Sequence, residues 1–220
     1  MKNIPRIFID APLGGGATVA ASRDVVHYLT RVMRTDQCLV FNGGTEYTAH
    51  LDDNGMLIVG DKTDHDDPSS QIVMFFSPIK KTDDLLNMAT QMGVRTFVPV
   101  ITDRTVAHHI NWARMHKIVI EAAEQSGRNS VPDICPPIKF SDLDMRGLAY
   151  GDERAAAGVD IGAWDDVPTR VLIGPEGGFS DAEFDALRDG GAVAVSLGKT
   201  ILRAEVAAVA ILAKIILGAA

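Results

Sequence analysis

The sequence predicts an α/β protein in which a small β-rich module precedes a mostly parallel α/β domain. After residue 69, apolar strand-like runs alternate with helical runs, as in a parallel sheet covered by helices. Before residue 61, short strand-like runs predominate. The intervening segment 61–70 (DKTDHDDPSS) has the polar, proline-containing composition of a linker. We therefore predict two domains, residues 1–68 and residues 69–220.

The amino-terminal module is predicted to be a small sheet with one helix. The turn sequence Asn42-Gly43-Gly44 favours a hairpin, and the helix is expected over residues 24–33. The expected strands are residues 6–9, 38–42, 47–51 and 56–59.

The second domain is predicted from alternating elements. Gly127 and the pair Gly190-Gly191 are placed to end two of its helices. Strands are expected at residues 72–77, 96–101, 148–150, 170–173 and 192–197, and helices at residues 83–92, 111–126 and 181–188. A last helix is expected to contain the apolar run 204–217.

The first of two informative loops, residues 172–180 (LIGPEGGFS), follows the strand at 170–173. Its glycines let the backbone approach a ligand closely, and Pro175 stiffens the bend. Ser180 and Glu183 form a predicted capping box that begins the next helix. The loop is either a tight turn that binds nothing or a binding loop in which Glu176 meets a ribose hydroxyl, a backbone amide or a cation.

The second loop, residues 197–205 (LGKTILRAE), follows the strand at 192–197. If its helix begins between residues 200 and 202, Arg203 lies in the first turn, where the helix dipole disfavours a cation. Arg203 is therefore expected to meet an anion, either a substrate group or a distant acid such as Glu176. The carboxylate of Glu205 suits the amino end of the helix.

Charge and composition restrict the function classes. A net charge of -8 argues against indiscriminate nucleic-acid binding. The early arginines, including Arg31 and Arg34, form either a local RNA site or a solvated helix face. Neither G-x-G-x-x-G nor G-x-x-x-x-G-K-[ST] occurs, which disfavours dinucleotide and P-loop sites.

No metal or membrane association is expected. Cys38 and Cys135 are far apart in sequence, which suggests reduced thiols in the cytoplasm, and His108-His109 lacks a third ligand. The apolar run 204–217 is shorter than the ~20 residues of a membrane span. Because this helix is apolar on every side, we expect either a second subunit to cover part of it, giving a homodimer, or complete burial in one chain.

Four segments together resemble one enzyme family. Residues 173–180 (IGPEGGFS), 197–205, 121–128 (EAAEQSGR) and 27–34 (HYLTRVMR) resemble blocks of the SPOUT-class methyltransferases that act on N3 of a uridine in 16S ribosomal RNA. The four blocks occur in the family's order and span nearly the whole chain.

The resemblance implies a PUA-like RNA-binding barrel at residues 1–68 and a SPOUT domain with a carboxyl-terminal trefoil knot that binds S-adenosylmethionine. It also implies a cytoplasmic homodimer acting on 16S ribosomal RNA, within the small ribosomal subunit. Arg203 and Glu205 would be catalytic, with Glu176 an alternative general base. Cofactor contacts would come from Ile173, Gly174, Glu176, Gly177, Gly178, Leu197, Gly198, Ile201 and Leu202, and RNA contacts from Arg6, Arg23, Arg31, Arg34 and Arg128.

The sequence departs from the family pattern at Lys199-Thr200, Val206, Gln37-Cys38, Met88 and Gln91. None of these departures removes a loop glycine, Glu176, Arg203 or Glu205. Two alternatives remain open: a related SPOUT enzyme acting on another RNA, and a non-catalytic RNA-binding protein of ribosome assembly.

Overall fold

The structure, a computed structural model, describes residues 4–65, 67, 70–106, 110–152 and 168–218. By contacts between residues, the chain divides into two compact units. Unit 1 comprises residues 1–69 and 120–131, and unit 2 comprises residues 70–119 and 132–220. These units differ in bounds from the two predicted functional domains, residues 1–68 and 69–220. The division into functional domains stays a prediction.

Unit 1 contains a five-stranded sheet in the order β1-β3-β4-β5-β2. Strands β1 and β3 are parallel, and the other pairs are antiparallel. Positive φ angles at Gly43 and Gly44 form the tight connection between β3 and β4, as expected from the turn sequence. The strands are β1 (Arg6–Phe8), β2 (Thr18–Ala20), β3 (Gln37–Asn42), β4 (Thr45–Leu51) and β5 (Met56–Lys62).

The helical segment of unit 1 differs from the single predicted helix. An α-helix, α1 (Arg23–His27), continues as a π-helical turn, Tyr28–Met33. Ser22 caps α1 by accepting a hydrogen bond from the Val25 amide at 3.2 Å. Leu29 is fully buried among the strand side chains, which anchors the segment to the sheet. Strand β2 was not predicted, because three residues with one half-buried side chain carry too little pattern.

Residues 120–131 are joined to β1 by polar contacts. Arg6 forms an ion pair with Glu46 at 2.7 Å and donates hydrogen bonds to Asn129 Oδ1 at 2.5 Å and to the Arg128 carbonyl at 3.0 Å. Glu124 Oε1 accepts a hydrogen bond from the Phe8 amide at 3.0 Å, and burial raises the pKa of this carboxyl group. The 121–128 sequence block therefore helps to build unit 1.

Unit 2 contains a parallel sheet in the order β12-β10-β11-β6-β7-β8, with β9 also paired to β7. This confirms the predicted mostly parallel α/β architecture. The strands are β6 (Val73–Phe76), β7 (Thr96–Ile101), β8 (Asp133–Ile134), β9 (Ile138–Lys139), β10 (Leu148–Gly151), β11 (Arg170–Ile173) and β12 (Val193–Val195). The two-residue strands β8 and β9 were not predicted.

The helices that accompany this sheet are α2 (Thr82–Gln91), α3 (Trp112–Ser126), α4 (Asp181–Asp189) and α5 (Ala204–Gly218), and a 3-10 turn spans Phe140–Asp142. Helix α3 contributes residues to both units. Helix α5 packs against α2 and β11, and Ile211, Leu212 and Ile215 on it are buried within unit 2. No helix in the described ranges is long and apolar enough to cross a membrane.

Ile211 and Ile215 of α5 are covered within their own unit. These two side chains face the core of their own unit, so they are not available to a second subunit. The apolar side chains left exposed on α5 are instead Val206, Ile216 and Leu217.

Candidate functional site

The two glycine loops line one cavity of about 480 Å³ in unit 2. The chain passes from β11 through α4 to β12, and β10 lies between these two strands in the sheet. Because all of these strands are parallel, their carboxyl ends meet at one edge, where α/β sheets bind ligands. The cavity is therefore in the position that the strand order favours.

The first loop closes tightly on itself. The Gly178 amide donates to the Pro175 carbonyl at 2.9 Å, and Gly178 has a φ of +70°, which a side chain would disfavour. At Gly174, a Cβ atom would lie 2.9 Å from the ring of Phe179. That ring is buried and packs against Phe184 with a centroid separation of 5.5 Å. Both glycines are thus required by the conformation of the loop.

The predicted capping box after this loop is confirmed. Ser180 Oγ accepts from the Glu183 amide at 3.3 Å, and Glu183 Oε2 accepts from the Ser180 amide at 2.8 Å. Glu183 is buried, and its other oxygen accepts from the Asp103 amide at 2.8 Å. The start of α4 is therefore joined to the segment that follows β7.

The segment after β7 supports the first loop at two further points. Arg104 Nη1 donates to the Gly177 carbonyl at 2.9 Å, and Ser180 Oγ donates to Asp103 Oδ2 at 2.7 Å. Thr105 fixes this segment in turn, since its hydroxyl accepts from the Thr102 amide at 2.8 Å and lies 2.8 Å from Ser77 Oγ. Sequence reasoning missed this support because Asp103 and Arg104 lie about 75 residues from the loop that they contact.

The second loop is more open. Gly198 has a φ of +115°, and Ile201 is 80% exposed. The helix begins at Ala204 and not between residues 200 and 202, and the Arg203 carbonyl accepts from the Ala207 amide at 2.8 Å. Arg203 is therefore the residue before the first helical turn, and its exposed side chain lies at the amino end of α5.

Glu205, in the first turn of α5, is buried, with only 7% of its surface exposed, and it lines the cavity. Lys81 lies 3.6 Å from Glu205 Oε1, so a cation compensates this buried carboxylate. Lys81 is also 3.8 Å from Asp84. In contrast to Glu205, Glu176 is exposed.

The structure brings together all of the predicted cofactor and catalytic residues except one. Ile173, Gly174, Glu176, Gly178, Leu197, Gly198, Ile201, Leu202, Arg203 and Glu205 line the cavity. Gly177 does not line it, and a Cβ atom there would meet Arg104 only at an ordinary 3.7 Å. The Gly177 carbonyl accepts the hydrogen bond from Arg104. Because Gly177 does not line the cavity, its position does not favour the predicted direct contact with the cofactor.

The lining residues outside the two loops include Lys80, Lys81, Gly151 and Asp152, none of which was predicted. The two lysines follow β6, and Asp152 follows β10. Both strands flank β11 in the sheet, although they are distant from it in the sequence. The available signal was a charged residue within five residues of the end of a buried strand, which becomes informative only once the strand order is known.

The predicted RNA-binding arginines divide into two groups in unit 1. Arg23, Arg31 and Arg34 are exposed, as contacts with a phosphate backbone require. Arg6 is instead committed to Glu46 and Asn129, and Arg128 is only 6% exposed. Burial lowers the pKa of Arg128, with Asp67 opposing that effect. Arg6 and Arg128 therefore have structural roles, and their predicted RNA contacts are not favoured.

In the described ranges, no group of three or more His, Cys, Asp or Glu side chains could hold a metal ion. His65 contacts the Gly127 carbonyl at 2.6 Å, which gives it a structural role. The pair His108-His109 lies outside the described residues.

Comparison with known proteins supplies independent information. A model of the RNA methyltransferase domain matches residues 66–216. The chain is 32% identical to Ribosomal RNA small subunit methyltransferase E of Rickettsia conorii, over 96% of this chain and 94% of that protein. It is 29% identical to the protein of the same name from Synechocystis, over 90% and 73%.

A similar relation holds for solved structures. The crystal structure of a Ribosomal RNA small subunit methyltransferase E from Neisseria gonorrhoeae bound to S-adenosyl methionine superposes with a TM-score of 0.82 at 28% identity, covering 96% of each chain.

Proposed function

Because this chain belongs to the RNA methyltransferase domain family, we propose that it transfers the methyl group of S-adenosylmethionine to N3 of a uridine in 16S ribosomal RNA. The observation that carries this proposal is the single cavity that both glycine loops line, with the buried carboxylate of Glu205 in its wall. The names of the relatives in the two comparisons support the cofactor and the class of RNA.

The cavity suits S-adenosylmethionine in size and in chemistry. Its volume of about 480 Å³ falls within the range of small-molecule sites. Leu172, Ile173, Leu197 and Leu202 offer an apolar surface to an adenine ring. Three carboxylates, Asp152, Glu176 and Glu205, line the cavity, and carboxylates suit ribose hydroxyls and the cationic groups of the cofactor. When bound, S-adenosylmethionine supplies an electrophilic methyl group on a positively charged sulfur.

The residues of the chain align the reactants and handle one proton. As the bond between N3 and the methyl carbon forms, the bond between carbon and sulfur breaks, and N3 must lose its proton. Glu205 is the better candidate to accept that proton, because it is buried in the cavity wall while Glu176 is exposed. Such general-base assistance typically contributes ~10²- to 10⁴-fold.

Lys81 forms an ion pair with Glu205 through the contact at 3.6 Å. The same contact restrains the orientation of the carboxylate. Arg203, exposed at the cavity rim, is placed to meet a phosphate or a uracil carbonyl of the RNA, which its planar guanidinium suits. Excluding water from the space between these groups strengthens each electrostatic contact.

The remaining features belong to the same proposal. Residues 1–68 form a PUA-like RNA-binding barrel that uses Arg23, Arg31 and Arg34, and residues 69–220 carry a trefoil knot at the carboxyl-terminal loops. The protein works as a homodimer in the cytoplasm, on RNA within the small ribosomal subunit, and it needs no metal. A base on the pairing edge must be unpaired to be methylated, and exposed single-stranded bases are what RNA-binding proteins characteristically read.

The test is incubation with labelled S-adenosylmethionine and, separately, small ribosomal subunits, free ribosomal RNA and transfer RNA. We expect label in 16S ribosomal RNA at N3 of one uridine, located by mass spectrometry of nuclease fragments. Glu205→Gln is the impaired control. Label in transfer RNA would instead identify a related enzyme with another substrate, and cofactor binding without transfer to any RNA would contradict the proposed activity.

A further inference from the structure

A second, smaller cavity lies in unit 2 at the carboxyl ends of β6 and β7. Its volume is about 160 Å³. Lys80 lines both this cavity and the larger one. The side chain of Lys80 is therefore common to the two cavities, and a group bound in the smaller one can contact the same residue as the contents of the larger one.

The smaller cavity is too small for a nucleotide-sized cofactor, since such ligands occupy sites of roughly 300 to 1,000 Å³. A single pyrimidine ring is a more suitable occupant. The walls include the apolar side chains of Ile79, Pro99 and Met115, against which a flat ring can pack. Asn111 and Arg114 add hydrogen-bond donors at the same cavity.

The charged groups of the smaller cavity favour an acceptor-rich ligand. Arg114 is held by an ion pair with Asp83, so these two charges compensate each other. Lys80 is exposed, and within the described ranges it makes no ion pair or hydrogen bond. Among the described residues, the one positive charge that remains uncompensated at the smaller cavity is that of Lys80.

The neighbouring lysine differs in this respect, since Lys81 pairs with Glu205. The other charged groups of the larger cavity are Asp152, Glu176 and Arg203. The ammonium group of Lys80 is thus available to a ligand between the two cavities.

We propose that the smaller cavity is the acceptor subsite, which takes the uracil base, and that Lys80 is a catalytic residue that contacts a carbonyl oxygen of that base. This inference rests on the proposed function. When N3 gives up its proton, negative charge spreads onto O2 and O4, and an ammonium group beside either oxygen stabilises that charge. The charge disappears again when N3 takes the methyl group.

The test compares Lys80→Met with Lys80→Arg in the full-length protein, with Lys139→Met as a control at an exposed lysine outside both cavities. Single-turnover methylation is measured at saturating cofactor and RNA, and calorimetry gives the affinity for S-adenosylmethionine. For Lys80→Met we expect transfer to slow by about tenfold to a hundredfold, the upper value being the low end of the range of about 10²- to 10³-fold for removing one donor to a developing oxyanion. Cofactor affinity should change by less than about threefold, because the loops supply most of that surface.

The pH profile separates catalysis from structure. Without the ammonium group, N3 is harder to deprotonate, so the rate of Lys80→Met should recover toward wild type as the pH rises. The rate of Lys80→Arg should remain near that of wild type. A loss that is constant across pH, or one explained entirely by weaker cofactor binding, would overturn the role of Lys80.

The subsite itself is tested by filling it. Ile110→Trp adds a ring to a residue that lines the smaller cavity, and Val106→Trp adds one to an exposed residue that does not. We expect only Ile110→Trp to raise the KM for RNA while leaving cofactor affinity unchanged. If wild type methylates RNA and Ile110→Trp has the same KM, the subsite is refuted and the proposed function stands. If wild type binds the cofactor but methylates no RNA, the proposed function fails.

Discussion

The two loops of the cavity differ in how they are held. Residues 174–180 are fixed by Arg104, Asp103 and Glu183 and by the close approach of Gly174 to the buried ring of Phe179. Residues 198–201 and Arg203 are exposed, and in the described part of the chain their side chains make no hydrogen bond or ion pair. The same edge of the sheet thus carries one supported loop and one open loop.

This difference has consequences for binding. A loop fixed before the ligand arrives loses little conformational entropy on binding, whereas an open loop must be ordered by the ligand, the RNA or a second subunit. We therefore propose that cofactor recognition depends mainly on residues 174–180 and that the reactive, RNA-dependent contacts depend mainly on residues 198–203. Four predictions test this division.

The largest effect is expected from Gly174→Val in the supported loop. The new side chain would displace the ring of Phe179 at a cost of about 1–3 kcal/mol, which corresponds to roughly 5- to 150-fold weaker cofactor binding if the loop carries the strain. Calorimetry measures the affinity, and thermal unfolding shows whether the protein is folded. Gly14→Val is the control, since a Cβ at Gly14 meets no atom within 4 Å. Unchanged affinity in a folded Gly174→Val protein would contradict the role of this loop.

The open loop is tested by Arg203→Ala. We expect methyl transfer to fall by at least about tenfold, or ~1.4 kcal/mol, with the fold and the cofactor affinity retained. Lysine should restore little activity, because it lacks the planar fork of donors. Arg188→Ala, at an exposed arginine paired with Asp185, is the control. If the melting temperature and cofactor affinity of Arg203→Ala fell together while turnover per folded molecule stayed normal, Arg203 would be structural.

Ile201 tests whether a second subunit covers the open loop. Its side chain is 80% exposed, and burying an isoleucine in a dimer contributes about 1.5–3 kcal/mol. We expect Ile201→Ser to weaken dimerisation by about tenfold or more, measured by analytical ultracentrifugation across a concentration series. Val32→Ser, which changes an exposed residue of unit 1, should have no such effect. If the wild-type protein were monomeric and fully active, a second subunit would not be what covers the open loop.

The smallest effect is expected from Arg104→Met. This change removes the hydrogen bond to the Gly177 carbonyl and should cost about 1 kcal/mol, or roughly fivefold in cofactor affinity. Arg104→Lys should recover part of the loss, because one donor suffices for one carbonyl. Arg146→Met, at a largely exposed arginine, serves as the control for lost surface charge. Equal affinity for wild type and Arg104→Met would show that residues 174–180 hold their shape without this bond.

Some features of the fold and of the site could be predicted from local sequence alone. The capping box of Ser180 and Glu183 and the glycine turn at residues 43–44 depend on neighbouring residues, and both were found as predicted. The start of α5 was placed two to four residues too early, because Ile201 and Leu202 continue the apolar run although they precede the helix. That shift moved Arg203 from the first turn to the residue before it.

The sequence by itself determined the alternation of strands and helices, the two glycine loops and most of the residues that line the cavity. Only the tertiary structure decided that Lys80, Lys81 and Asp152 join those loops, because the order β12-β10-β11-β6 brings together strand ends that are far apart in the chain. It also decided that Arg6 is held by Glu46 and Asn129 and that Ile211 faces the core of its own unit. The physical reason is that turn conformation and capping depend on a few neighbouring residues, whereas burial and the pairing of charges depend on long-range packing.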